Sequence, residues 1–518
     1  MKKFRTLSFT LLVMASVSLS GCSFFSSLFG GNKTPIELTP TELQDTYNNY
    51  MNNNFYVIDG CPTSGNPKLL VVPIWFTDSY KYIPEAQKEK VRSDIEKCYF
   101  GSDSDVGWKS VKSYYQHLSN GKLNLTGVVS DWYDYPESSS YFYTPSKGAE
   151  RTTTLVTEAV NHYKTSSGVT DLSSFDSDQN GYLDGVILIY ASPDYGTLDK
   201  PNPDQNKSNM WAYCYWLQNP KGTPASPVPN TFFWASYDFI YGSNTKVGDY
   251  YAGDTRYCAL DTHTFIHEMG HVLGLEDYYD YSEQYLPAGG FSMQDYNVGS
   301  HDPYSAMALG WANPMIPKES CTLALRPFQE SHKLILLSSR PSSVVSPFDE
   351  YILLEYYTAT GLNAFDVEHP YLDQYPSGSK EVGIRVWHVD ARLLEAKSRA
   401  EDERVSIVSK IRSGYYYTHA MSNTYGGDKG QDYVSLLGPD YYNYNILQLI
   451  SSNNLKTYKS NYDFSRSDLF TKGMSFKMST LRKQFVNGDR MNDNGSLGWT
   501  FKVDKLTGEQ AVITFTRS

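Results

Sequence analysis

From residue 261 the chain reads DTHTFIHEMGHVLGLEDYYD, with His267 and His271 four positions apart and Glu268 directly after the first of them. On a helix that spacing sets the two imidazoles one above the other on a single face. Two imidazoles so placed can bind one Zn²⁺, while Glu268 reaches the fourth coordination position and can act as general base toward a water there. A tetrahedral catalytic zinc needs a third protein ligand. Gly274 can take the left-handed conformation that ends a helix, so the chain can turn back toward the metal and present Asp277. His301 and Glu276 are next in line for that role. His263 lies on the same stripe, but about 12 Å along the axis from His271, too far to join the same tetrahedron. It reads as an exposed or helix-start residue, with Thr262 or Thr264 as the N-cap.

The surroundings of this helix follow an α/β pattern. Leu69 to Phe76 (LLVVPIWF) is a short continuous apolar run, as expected of a strand buried on both faces. Ser110 to Leu118 carries apolar residues at Val111, Tyr114, Tyr115 and Leu118, a helical spacing that Asn120-Gly121 stops. Leu123 and Leu125 then alternate as in a strand. A further helix is expected near Thr152 to Tyr163, and a strand at Val186 to Tyr190. From Cys321 onward the pattern changes to short β-type runs separated by turn-rich loops: Lys333 to Leu337, Tyr351 to Tyr357, Gly383 to Val389 and Ala511 to Phe515. A chain of 518 residues exceeds what one core usually serves. The pattern places an α/β catalytic domain at 67–315 and a mainly β domain at 316–518.

The first residues are targeting sequence: Lys2, Lys3 and Arg5 precede an apolar stretch, Leu7 to Leu19, too short to span a membrane. The stretch ends Leu19-Ser20-Gly21-Cys22, which resembles the bacterial lipoprotein lipobox, where cleavage precedes the cysteine and its thiol receives a diacylglycerol. Residues 1–21 are therefore expected to be a signal peptide and Cys22 a lipidation site, anchoring the protein on the extracellular face of a bacterial cell membrane. Residues 22–66, rich in Ser, Gly, Asn and Thr, read as a tether or short pro-segment. Setting Cys22 aside leaves Cys61, Cys98, Cys214, Cys258 and Cys321, an odd set with at least one unpaired, in which Cys214 and Cys258 could bridge. The net charge of -12, from 45 Lys+Arg against 57 Asp+Glu, comes with no long basic run and argues against nucleic acid as a partner.

Several separate segments together resemble the immune inhibitor A family of metallopeptidases. LLVVPIWFTD, SVKSYYQHLSNGKL, DSDQNGYLDGVILIY, FIHEMGHVLGLEDYYD, GGFSMQDYN, the YSAMALGW run, EYILLEYY and VGIRVWHVD occur in the family's order over most of residues 67–518. The resemblance implies a metzincin-like zincin catalytic domain, in which an upper α/β half and a lower half bound the cleft. It implies zinc-dependent endopeptidase activity on proteins or peptides, with an Asp at the position of Asp277 as third ligand. It also implies a methionine-containing turn beneath the zinc, at Met293, and a tyrosine near that turn, Tyr296, that donates to the tetrahedral oxyanion. Trp211-Ala212-Tyr213 looks like the strand along which an extended peptide aligns, an ordinary edge strand being the alternative. His388 and Asp390 in VWHVD alternate along a strand far from the zinc helix and read as structural.

The segment from Asp176 to Asp184 has the oxygen donors of a calcium loop at positions 1, 3, 5 and 9, from Asp176, Asp178, Asn180 and Asp184, with glycine at 6 and the Tyr182 carbonyl at 7. Position 12 is Ile187 where an EF-hand has Glu, and a strand follows, so a structural Ca²⁺ site other than an EF-hand is expected. The rival to an enzyme is a catalytically silent surface adhesin or glycan-binding lipoprotein, with the β domain as its working part. Glu268 argues against it, because a binding module has no need of that carboxylate. A zinc hydrolase of non-peptide substrates would share every motif.

Overall fold

The alternation of side chains along Lys68–Trp75 (β1 below) decides how the first half is layered. Leu69 and Val71 point into one buried cluster and Leu70, Val72 and Ile74 into another, so both faces of the strand are covered. The computed structural model describes residues 34–194, 209–242, 258–282, 285–369, 378–399, 404–424, 443–454, 456 and 468–518. Cys22 and the expected signal peptide lie outside the described residues.

The principal elements of the first half, in chain order, are helix α1 (Tyr47–Asn52), strand β1 (Lys68–Trp75), α2 (Lys88–Phe100), α3 (Val111–Leu118), β2 (Thr126–Val129), α4 (Pro145–Ser167), β3 (Val186–Tyr190), β4 (Tyr213–Trp216), β5 (Thr231–Ser236), α5 (His263–Val272) and α6 (Met293–Tyr296). The sheet runs β2-β1-β3-β5-β4, parallel except for the edge strand β4. One face carries α4 through Leu155, Val156, Ala159 and Tyr163. The other carries α2, α3 and α5, through residues such as Ile95, Tyr115 and Phe265. Ser110 caps α3 by accepting the Ser113 amide at 3.1 Å, and Asn120 and Gly121 end it in left-handed conformations.

The second half is β-rich, as expected. Its elements are β6 (Cys321–Leu325), β7 (Leu334–Leu337), β8 (Glu350–Tyr357), α7 (Ala364–Glu368), β9 (Gly383–Asp390), β10 (Leu393–Ala396), β11 (Arg404–Val408), β12 (Tyr416–His419), β13 (Leu447–Ile450), β14 (Trp499–Leu506) and β15 (Ala511–Arg517). Strands β13-β9-β8-β7 form one antiparallel sheet. Leu336, Leu353 and Trp387 on its one face belong to the same buried cluster as helix α5, while Ile335, Ile352 and Val386 on the other pack against the sheet of β6, β14 and β15. The two halves thus share a core across residue 315 rather than meeting as separate bodies.

Residues 34–66 behave differently from the tether that their composition suggests. The Ile36 amide donates to Thr322 O at 2.9 Å and the Trp311 indole to Thr63 O at 2.7 Å. Tyr47, Tyr50 and Met51 of α1 are buried. Their polar neighbours set the composition, but a three-four spacing of large side chains on a short helix is enough to dock it. All five described cysteines are free, so Cys214 and Cys258 form no bridge. No helix among the described residues is long and apolar enough to cross a membrane.

Candidate metal centre

Helix α5 begins at His263, with Thr262 in the N-cap position. The Thr262 hydroxyl is turned to Lys109 O, and Asp261 receives the His263 amide at 3.0 Å instead. Phe265, Ile266, Met269 and Val272 seat the helix in the core. At its end Gly274, at φ +100, donates to His271 O (2.9 Å) and Leu275 donates to Gly270 O (3.0 Å). This pair of bonds is a Schellman motif, which needs a residue free of a Cβ at the left-handed position. It reverses the chain so that Asp277 comes back over the helix. Gly270 has a second reason to lack a side chain: a Cβ there would overlap Gln294 of α6.

Two backbone carbonyls fix the orientation of the two histidine rings. His267 donates Nδ1–H to Met293 O at 2.7 Å, and His271 donates Nδ1–H to Leu275 O at 2.8 Å. A carbonyl only accepts, so in each neutral ring Nε2 is left as a lone-pair acceptor. The two Nε2 atoms face each other at 3.1 Å, and Asp277 Oδ1 lies 3.1 Å from each. Three acceptors therefore converge with no donor between them, an arrangement that calls for a cation. Their nitrogen and carboxylate chemistry suits Zn²⁺. Among the described residues this is the group of His, Cys, Asp or Glu side chains that could hold a metal ion. Without a cation, only protonation relieves it. Burial opposes the charge on His271, yet Asp277 drives its pKa up to about 10. Burial likewise opposes the Asp277 charge, and His271 and His267 hold that carboxyl far below the usual range.

Glu268 stands beside this group, buried, and its Oε2 accepts no hydrogen bond from the described residues. Burial raises its pKa against the pull of His271 and His267. A sequestered carboxylate with an unused oxygen is suited to receiving a proton.

The structure sorts the remaining candidates. Met293 is fully buried under the helix, and its contribution to the site is the carbonyl that orients His267. Tyr296 ends α6 and is half-buried. A phenol that reaches the ligand group comes from Tyr281, which donates to Asp277 Oδ2 at 2.7 Å. Tyr281 was not singled out by the sequence, although its place four residues after Asp277 was there to be read. His301 and Glu276 are engaged elsewhere, His301 between Tyr114 and Gln294 and Glu276 with His419.

His263 opens the helix, one of the two expected readings, but is not exposed. It is buried, stacked on Trp108 with ring centroids 4.3 Å apart, and its two nitrogens lie 2.8 and 3.0 Å from Asp261 and Asp366. Burial disfavours its charge, but Asp366 and Asp261 raise its pKa to about 10. His388 and Asp390 are structural, as expected: His388 meets Glu350 at 2.9 Å and Asp390 takes both ends of the Arg392 guanidinium. The edge strand falls at Tyr213–Trp216, so Trp211 precedes it, and Trp211 and Tyr215 are exposed.

In the Asp176 to Asp184 loop the candidate oxygens accept hydrogen bonds from the turn. Asp176 accepts the Asn180 and Gly181 amides, both at 2.9 Å, and Asn180 Oδ1 accepts the Tyr182 amide at 2.8 Å. Asp178 accepts from Asn180 at 3.1 and 3.2 Å. Asp184 is turned away to the Ser177 and Lys68 amides. Burial raises the pKa of Asp184 to about 6, and that of Asp178 is raised as well. These hydrogen bonds hold the turn together, and each carboxylate oxygen that accepts an amide keeps a further lone pair.

Residues 77–199 match the family model of the immune inhibitor A peptidase M6 catalytic domain. The match supports a metallopeptidase. It spans α2 to β3, with the Asp176 to Asp184 loop, and ends before the helix that carries His267, Glu268 and His271. No curated protein matches the chain.

Proposed function

We propose that the chain is a zinc-dependent endopeptidase of metzincin-like design that cleaves proteins or peptides outside a bacterial cell, held to the membrane by a lipid on Cys22. The observation that carries this reading is the convergence of His267 Nε2, His271 Nε2 and Asp277 Oδ1 beside the unpartnered Glu268 oxygen. Zn²⁺ held by His267, His271 and Asp277 would supply Lewis-acid polarisation of the scissile carbonyl and acidify a water at neutral pH. Glu268 then takes a proton from the attacking water and later gives it to the leaving amine. Its burial raises its affinity for that proton and so favours the first half of the transfer. Met293 O keeps His267 in the tautomer that ligation requires. Two tyrosines are candidates for the oxyanion donor, Tyr296 on the turn below and Tyr281 on Asp277; comparison of Tyr296→Phe with Tyr281→Phe separates them. The side of edge strand β4 that no described strand pairs offers a main-chain ladder for an extended substrate.

The test is zinc analysis together with proteomic cleavage profiling of the soluble protein from residue 23 onward. About one zinc per chain and new peptide termini in a protein mixture are expected. Zinc without cleavage would favour the adhesin, and absence of zinc would remove the mechanism. Cell fractionation with mass spectrometry of the mature N-terminus tests the anchor: a wild-type terminus other than lipidated Cys22 would make this an ordinary secreted protein.

A further inference from the structure

The peptide from Gly274 to Tyr278, which carries Asp277, is held from two sides by parts of the chain remote in sequence. On one side lies α1. A Cβ on Gly274 would overlap the Met51 thioether and press on the Tyr47 ring, and the Cys61 amide donates to Val272 O at 3.1 Å, at the end of the zinc helix. On the other side lies β12 with the chain just after it. His419 donates Nδ1–H to Glu276 Oε1 at 2.7 Å, and Asn423 Nδ2 donates to Tyr278 O at 2.8 Å. The two sides are joined to each other. The His419 ring stacks on Tyr50 with centroids 4.7 Å apart, the Phe55 amide donates to Tyr417 O (2.7 Å), and the Tyr417 amide donates to Asn53 O (2.8 Å).

A left-handed glycine followed by a short loop is a hinge. Each backbone residue left free there costs about 1–2 kcal/mol to order when a ligand must be presented. The clamp meets that cost in the folded protein before any metal arrives. Glu276 is the residue adjacent to Asp277, and its carboxylate is only partly exposed at 32%. Its contact with His419 therefore sets the course of the backbone through the third ligand.

We propose that His419 is a positioning residue of the metal centre. Through Glu276, and backed by α1, it keeps Asp277 in its ligating place. The N-terminal stretch 34–66 is then a permanent part of the site rather than a pro-segment whose removal activates the enzyme. This inference rests on the metal-binding reading above.

The experiment uses the full chain loaded with zinc. His419→Phe keeps a ring against Tyr50 but cannot donate to Glu276, and Glu276→Ala removes the acceptor. Zinc release to a competing chelator should become about tenfold faster in each, at the low end of what loss of an orienting partner costs a metal site. The double variant should release zinc no faster than the single ones, because both break one contact. With Co²⁺ in place of zinc, the visible absorption should shift in the same variants. A purely structural role would lower the melting temperature and leave zinc release and the cobalt spectrum unchanged, which overturns the proposal. Should His419→Phe fail to fold, Glu276→Ala decides the matter by the same two readings. A parent that takes up no zinc overturns the metal reading as well, whereas a parent that binds zinc with variants that match it overturns this inference alone.

Discussion

Helix α5 with its return loop and the turn from Asp176 to Asp184 are both dense in metal-ligating residue types, and they use them in opposite ways. In the first, each of the two imidazoles gives its one N–H to a backbone carbonyl, so the acceptor side is left over and three acceptors face one another. In the second, the carboxylates accept amides from their own turn, and Asp184 is turned to Ser177 and Lys68. His263 shows the same contrast within a single helix. It lies on the stripe of His267 and His271, yet its two nitrogens are engaged by Asp261 and Asp366. Donor spacing thus nominates a metal site, and the hydrogen bonds around the donors show how each is oriented.

The sharpest way to break this contrast is Glu268→Ala. Hydrolysis should fall by at least about 10²–10⁴-fold, the usual worth of a general base, while zinc stays near one per chain. Loss of metal together with activity would place Glu268 among the ligands. Next in size is Asp277→Ala, which should weaken zinc binding by more than about 100-fold, beyond what groups that merely orient a ligand cost. An unchanged coordination shell by X-ray absorption would mean that the third ligand lies elsewhere.

His263→Gln should leave zinc content alone and instead lower stability by about 3 kcal/mol near pH 6, since it strands two buried carboxylates. The pH dependence has a definite sign. The folded-state pKa is raised from 6.5 to about 10, so the stabilisation is complete below pH 6.5 and is lost as the pH climbs through about 10. Parent and variant melting temperatures should therefore converge across that window, and a constant gap would refute a charged His263. The smallest effect belongs to Asp176→Ala, about 2 kcal/mol from two stranded amides. If the loop binds a cation, the parent's melting temperature rises with millimolar calcium and the variant's does not; equal responses in both would refute the calcium site.

The regular elements were legible because their signals are local. Val186 to Tyr190 is a strand over those same residues, and Gly383 to Val389 and Tyr351 to Tyr357 needed one residue more at one end. The convergence of the candidate trio was legible for the same reason, since His267, His271 and Asp277 are joined by one helix and one turn. What escaped depends on distant partners. Nothing near His263 announces Asp366, 103 residues away, and nothing near Glu276 announces His419, 143 residues away. Residues 34–66 escaped for a different reason: their asparagines and serines set the composition while a few tyrosines and one methionine do the docking.

Strand β6 draws its neighbours from opposite directions along the chain. Ile36 donates to Thr322 O at 2.9 Å, β15 pairs along the strand from Cys321 with Phe515 to Leu325 with Ala511, and the hydroxyls of Thr322 and Thr514 meet at 2.9 Å across 192 residues. This is a matter of time as much as of space. A ribosome adding about 5–20 residues per second leaves β6 waiting roughly 10–40 s for the strand that will cover it. Throughout that interval CTLAL is an unsatisfied apolar edge, open to the same stretch of a neighbouring chain. Strand β6 therefore needs shielding while the protein is being made.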